Sequence, residues 1–114
     1  MENVIVDKSF RFAIRIVNLY KYLRTEKEEY VLSKQLLRCG TSIGANVAEA
    51  QNAQSTADFC AKLSIALKEA SETKYWLRLL NETDYLKNAQ FESIYADSVE
   101  IEKLLVSIVK SVKS

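Results

Sequence analysis

Leu32-Ser-Lys-Gln-Leu-Leu-Arg-Cys-Gly-Thr-Ser-Ile-Gly-Ala-Asn-Val-Ala-Glu-Ala-Gln51 is the stretch on which the reading of this chain turns. Its apolar residues Leu32, Leu36, Cys39, Ile43 and Val47 are spaced by four, three, four and four positions, which is one face of an α-helix. Beside them Gly40, Gly44 and Ala48 recur every fourth residue. A glycine inside a helix costs about 1 kcal/mol relative to alanine. Two of them one turn apart therefore imply a compensating gain, the close approach of another helix backbone where no Cβ intervenes. A third face is polar: Arg38, Ser42, Asn46 and Glu49. A helix with three occupied faces belongs in the middle of a fold. The alternative is a break near Gly40, with Ser42 capping a restart.

Composition narrows the class. At 114 residues the chain is a single domain, residues 1–114, long enough to bury roughly 65% of its unfolded surface. It has no proline and only two glycines, almost no turn vocabulary for hairpins, so long helices with few loops are expected. The net charge of +1 provides no whole-molecule attraction to nucleic acid or membrane. The start, Met-Glu-Asn-Val-Ile-Val-Asp, lacks the basic leader and apolar core of a signal peptide, and no apolar run reaches the length of a membrane span. A cytoplasmic protein with no membrane contact is expected. Cys39 and Cys60 then stay free. An antiparallel register about Ala53–Ser55 also separates them by roughly 14 Å, too far for a disulfide.

Outward from the second helix, Asp7 is read as the N-cap of a first helix over about 7–24. Its polar residues Lys8, Arg11, Arg15, Asn18 and Tyr22 form one narrow stripe, and nearly everything else is apolar, including Phe10, Phe12, Ile14, Ile16 and Val17. A surface helix needs an apolar arc of about 100°. The wider arc implies either burial between several helices or a subunit contact. Thr25 to Tyr30 reads as a charged connector, with Thr25 and Glu28 as a capping box. The second helix spans about 29–52. Ser55, Thr56 and Asp58 open a third over 56–82, whose apolar rhythm is broken only by Thr73. Asn88 caps a fourth over 89–113. Four helices with short connections predict an all-α, antiparallel up-down-up-down four-helix bundle.

Little in the chain suggests catalysis. Histidine is absent, removing the commonest general base and metal ligand. No glycine loop for phosphate and no Glu-x-x-His pair occurs, and two cysteines on separate helices make no zinc site. Neither cofactor nor metal is expected, and the chain is read as non-enzymatic. Glu69 and Glu72, one turn apart, read as a salt-bridged or solvated face, the alternative being a carboxylate pair for acid–base work or for a divalent cation. The antiparallel register brings Arg38 opposite Glu69 and Glu72, and Glu49 opposite Lys62. We therefore expect a structural polar network of Arg38, Ser42, Asn46, Glu49, Lys62, Glu69 and Glu72 that fixes helix register, with losing one partner costly. Ligand or nucleic-acid contact by Arg38 and Asn46 is the other reading. The nucleic-acid candidates are Lys8, Arg11, Arg15, Lys21 and Arg24 of the first helix. Such a stripe is otherwise a solvated face, but copies around a ring would join it into a positive band. Tyr75 and Trp76 read as base-stacking residues or as core or interface anchors.

Gln35-Leu36-x-Arg38, then Ser42-Ile43 and Asn46-Val47-Ala48-Glu49, resemble the signature of the bacterial four-helix-bundle family that includes proteins encoded by 23S ribosomal RNA intervening sequences. Ser64 to Leu80 is similar to the third helix of one branch, and the likeness spans about residues 8–110. The family often carries proline where Gly44 stands and glycine where Ala50 stands, and both departures favour an unbroken second helix here. The resemblance implies a left-handed bundle assembling as a ring-shaped homopentamer. It also points to the basic accessory bundle proteins of diversity-generating retroelements, which bind nucleic acid and a reverse transcriptase. The expected partners are thus the chain itself and structured RNA or DNA, with recruitment of a partner protein as the alternative.

Overall fold

A computed structural model describes residues 3–113; Met1, Glu2 and Ser114, on which parts of the leader and domain-boundary readings fall, lie outside the described residues. Four helices follow in order: α1 (Val4–Thr25), α2 (Leu32–Ala50), α3 (Thr56–Glu82) and α4 (Asn88–Lys113). Each packs on its neighbours in sequence, and α1 closes the square against α4. The result is an antiparallel four-helix bundle 44 Å long and 20–23 Å across. Its core is a continuous column in which Phe12, Ile16, Leu23, Leu36, Ile43, Leu63, Leu77, Leu80, Ile101 and Leu105 are fully enclosed. Thr73, the break in the α3 rhythm, is buried without penalty because its hydroxyl donates to the Glu69 carbonyl at 2.7 Å.

Three helix starts differ from the sequence reading. α1 begins at Val4 rather than after Asp7, because the Asn3 side chain accepts from the Val6 N–H and burial of Ile5 holds a β-branched turn in helical form. α2 begins at Leu32 rather than near 29, with Val31 at the N-cap position and Glu29, two residues ahead of it, supplying the capping carboxylate. That carboxylate accepts from the Val31, Leu32 and Ser33 N–H groups at 3.2, 3.0 and 2.6 Å. The Ser33 hydroxyl donates back to the Glu29 carbonyl at 2.9 Å. The expected Thr25–Glu28 box does not form. Thr25 is still in α1, and Glu28 turns the chain at φ 52°. α4 starts with the Lys87 carbonyl accepting from Phe91 and the Gln90 side chain accepting from the Lys87 N–H. Asn88 instead accepts from Asn81. Only α3 starts where its signals place it, with Ser55 accepting from Asp58.

α2 runs unbroken through both glycines. A Cβ at Gly40 would stand 2.8 Å from both Cγ atoms of Ile16, and one at Gly44 would stand 3.1 Å from the Ser9 carbonyl oxygen. These two positions are where α1 seats. Ala48, the third small residue, is exposed instead. Four residues rotate a helix by about 400°, so a four-step stripe drifts some 40° per turn and leaves the contact by its third member.

Candidate functional site

The basic residues of α1 do not form one open band. Lys8, Arg11 and Arg15 lean toward α4, where the antiparallel register supplies carboxylates. Lys8 Nζ meets Glu100 at 2.6 Å and Arg15 Nη1 meets Asp97 at 2.5 Å. The second Arg15 guanidinium nitrogen donates to the Ser93 hydroxyl at 3.0 Å. Arg11 pairs with Asp7 within its own helix at 3.0 Å. The Glu100 hydrogen bond and charge hold the Lys8 ammonium above its ordinary pKa. Three cations thus face three carboxylates, and this part of the stripe is locally neutral. Arg24 donates to the Tyr20 hydroxyl at 2.7 Å and lies 5.5 Å from the Tyr20 and Tyr30 ring centres. Lys21 points to solvent.

The same side of α1 that escapes both neighbours is apolar. Phe10 is 65% exposed and Ile14 48% exposed one turn later, with half-buried Val17 beside them. The exposed Ala45 and Ala48 of α2 flank the Gly44 contact with Ser9 and Phe10. The wide apolar arc read from the sequence is therefore not consumed by packing within the chain.

Between α2 and α3 the polar residues bridge the two helices. Arg38 reaches Glu69 at 3.3 Å and pairs with Glu72, while Lys62 meets Glu49 at 3.6 Å. The Trp76 indole N–H donates to Glu72 at 3.0 Å. That donor and then Arg38 hold the Glu72 carboxyl below the usual carboxylate range. Ser42 donates to the Arg38 carbonyl and Asn46 to the Ser42 carbonyl, so both spend their polar atoms on their own helix. Arg38 is half exposed. Removing a glutamate therefore leaves a solvated guanidinium, whereas removing Arg38 leaves the Glu69 carboxylate, only 17% exposed, without its cation.

A basic surface that sequence reasoning did not single out lies between α3 and α4. Lys68, Lys103 and Lys110 border a groove floored by Leu67 and Val106. The signal was available in the register: Lys74 meets Glu102 at 2.7 Å, and the same antiparallel pairing sets Lys68 beside the stretch between Lys103 and Lys110.

No group of three or more His, Cys, Asp or Glu residues able to hold a metal is found among the described residues. Cys39 and Cys60 are free and buried, and burial pushes the Cys39 thiol up to about 11, leaving it without thiolate character near neutrality. No described helix is long and apolar enough to cross a membrane.

A family model described as 23S rRNA-intervening sequence protein matches residues 1–107. Among solved structures, the chain is 64% identical to a protein with unknown function from the S23 ribosomal protein family of Bacteroides thetaiotaomicron, with a TM-score of 0.94. That match covers 95% of this chain and 96% of the other. No curated protein matches.

Proposed function

The chain belongs to the 23S rRNA-intervening sequence protein family, and from that premise we propose a non-enzymatic bundle protein that assembles with copies of itself and binds structured RNA or DNA. The assembly is a ring of left-handed bundles, five in number as the family resemblance implies, acting in the cytoplasm. The observation that carries self-association is the outward stripe of Phe10 and Ile14. Two large apolar side chains on successive turns, bordered by Val17 and small α2 residues, favour burial against a partner surface. A ring needs each copy to offer two different faces, and this stripe is one of them.

A second reading, a protein-recruiting scaffold that touches no nucleic acid, is favoured by one observation. The α1 cations nearest the N-terminus are already paired with Asp7, Asp97 and Glu100. Two measurements separate the readings. Sedimentation velocity should show an oligomer of the 13.0 kDa chain that dissociates in Phe10→Ser/Ile14→Ser. Fluorescence anisotropy with a labelled RNA hairpin should show binding that weakens as salt rises. A compact monomer removes the assembly proposal. Absence of binding at low salt removes the nucleic-acid proposal and leaves the scaffold.

A further inference from the structure

The α3–α4 seam opens outward into a groove of about 700 Å³. Lys68 stands on one wall, Lys103 and Lys110 on the other. Seven residues separate the latter two, about 10 Å along α4. Among the described residues none of the three ammonium groups forms an ion pair. The acid in the lining, Glu102, is tied to Lys74 at 2.7 Å. Three uncompensated positive charges therefore flank an apolar floor, interleaved with the hydroxyls of Ser64, Ser71 and Ser107.

An aromatic ring extends the same face. Ser64, Lys68, Ser71 and Tyr75 follow one another at steps of four, three and four on the outer side of α3, and Tyr75 is 57% exposed. Its ring packs edge-on against Trp76 with centres 5.0 Å apart. Trp76 is anchored in turn through its indole N–H to Glu72. Tyr75 is thus held in place with a free face, unlike a ring on a loop.

We infer that this face binds an unpaired stretch of RNA, with phosphates on Lys68, Lys103 and Lys110 and a splayed base on Tyr75. The inference rests on the nucleic-acid reading above and gives it a location. Lysine binds phosphate as a mobile point charge that needs no fixed fork geometry, and three lysines border the groove. Leu67 and Val106 offer a surface to the sugar. An acidic peptide would want backbone partners, and the flanking helices spend theirs internally. An unstacked base is needed because a base inside a duplex presents no face to a side chain.

The test uses a fluorescein-labelled RNA hairpin with a uridine loop and the blunt duplex of its stem. Lys68→Gln/Lys103→Gln/Lys110→Gln should weaken hairpin binding and flatten the slope of log K against log salt by about 2, the contribution of three single-strand phosphate contacts. Tyr75→Ala should weaken hairpin binding about ten-fold and duplex binding little. Circular dichroism confirms that these surface variants stay folded. The groove is overturned if the triple variant binds as the parent does while Lys21→Gln/Arg24→Gln loses affinity, an outcome that leaves the nucleic-acid reading standing. Equal effects of Tyr75→Ala on hairpin and duplex overturn the stacking. No salt-dependent binding by the parent overturns both inference and reading.

Discussion

Gly40→Ala sets two known effects against each other at one atom. Alanine gains about 1 kcal/mol of helix propensity over glycine. Against this, the new methyl would stand 2.8 Å from both Cγ atoms of Ile16 and 2.9 Å from its Cδ1. Ile16 is fully buried and β-branched, so one χ1 rotamer dominates in a helix and rotation cannot clear all three atoms. Forcing a methyl into such a site costs about 1–3 kcal/mol. The net expectation is a loss of about 1 kcal/mol, or some 4 °C in melting temperature for a chain of this length. A thermodynamic cycle sharpens the test. Ile16→Ala should itself cost about 2–5 kcal/mol through the cavity it leaves, but in that background Gly40→Ala has nothing to strike and should stabilise by about 1 kcal/mol. The sign reverses, with a coupling of about 2 kcal/mol between the sites. The assay is urea or thermal unfolding at matched protein concentration, since the proposed self-association would make the midpoint concentration-dependent. If Gly40→Ala is neutral or stabilising with Ile16 intact, or acts equally in both backgrounds, the close seating of α1 on α2 is refuted.

Burial alone would push the Glu29 carboxyl up, but hydrogen bonds from the Leu32, Ser33 and Val31 N–H groups outweigh it and hold the folded value below the usual range. The stability it confers is complete above the unfolded value of about 4.3 and is lost as pH falls through the folded value; Glu29→Gln should cost about 1 kcal/mol at neutral pH and flatten that acid limb in urea melts. A thiol-reactive probe should leave Cys39 unlabelled in the native protein near neutral pH and react with both cysteines in denaturant; fast native labelling of Cys39 would contradict its burial. Asp97→Asn/Glu100→Gln should release Lys8 and Arg15 from their carboxylates, raise RNA affinity and steepen its salt slope by up to about 1.4; an unchanged slope would show that α1 takes no part.

The bundle was legible because each of its causes repeats along the chain. The four-three rhythm of Phe59, Leu63, Ala66, Ala70, Leu77 and Leu80, broken only by Thr73, needs no partner to be seen, and the Gly40–Gly44 spacing announces a close contact before the contacting helix is known. Helix starts were less legible, since a cap is defined by geometry more than by residue type. Glu29 lies outside the usual Ser, Thr, Asp and Asn cap set and works only because it is buried under the first turn of α2. Asn3 was hidden behind Val4-Ile5-Val6, a run whose intrinsic preference is extended until the bundle buries Ile5. The partners of the α1 charges were illegible for a related reason. Read along one helix the charges make a stripe, while Asp97 and Glu100 that neutralise it come more than 80 residues later. Extending the antiparallel register from α2–α3 to α1–α4 and α3–α4 would have found both the neutralised seam and the lysine groove.

The four seams are not equivalent, and the difference orders the molecule. Ion pairs cross α1–α4, α2–α3 and α3–α4. Across α1–α2 the described residues place none, and glycine contact takes their place. The bundle therefore has an apolar edge at α1–α2 and a basic edge at α3–α4, on opposite sides of the square. If copies join through the first, the lysine grooves are left facing away from the joint and are multiplied by assembly. Binding at a second groove of the same ring is then intramolecular, with affinity gains of about 10²–10⁴ when one RNA spans both. Phe10→Ser/Ile14→Ser touches no lysine, yet it should weaken binding of a long RNA carrying several loops far more than binding of a single hairpin. Anisotropy with both RNAs, on variants shown by sedimentation to be dissociated, reads this directly. A dissociated variant that holds the long RNA as tightly as the parent would mean that the two edges act independently, and that assembly serves some purpose other than avidity.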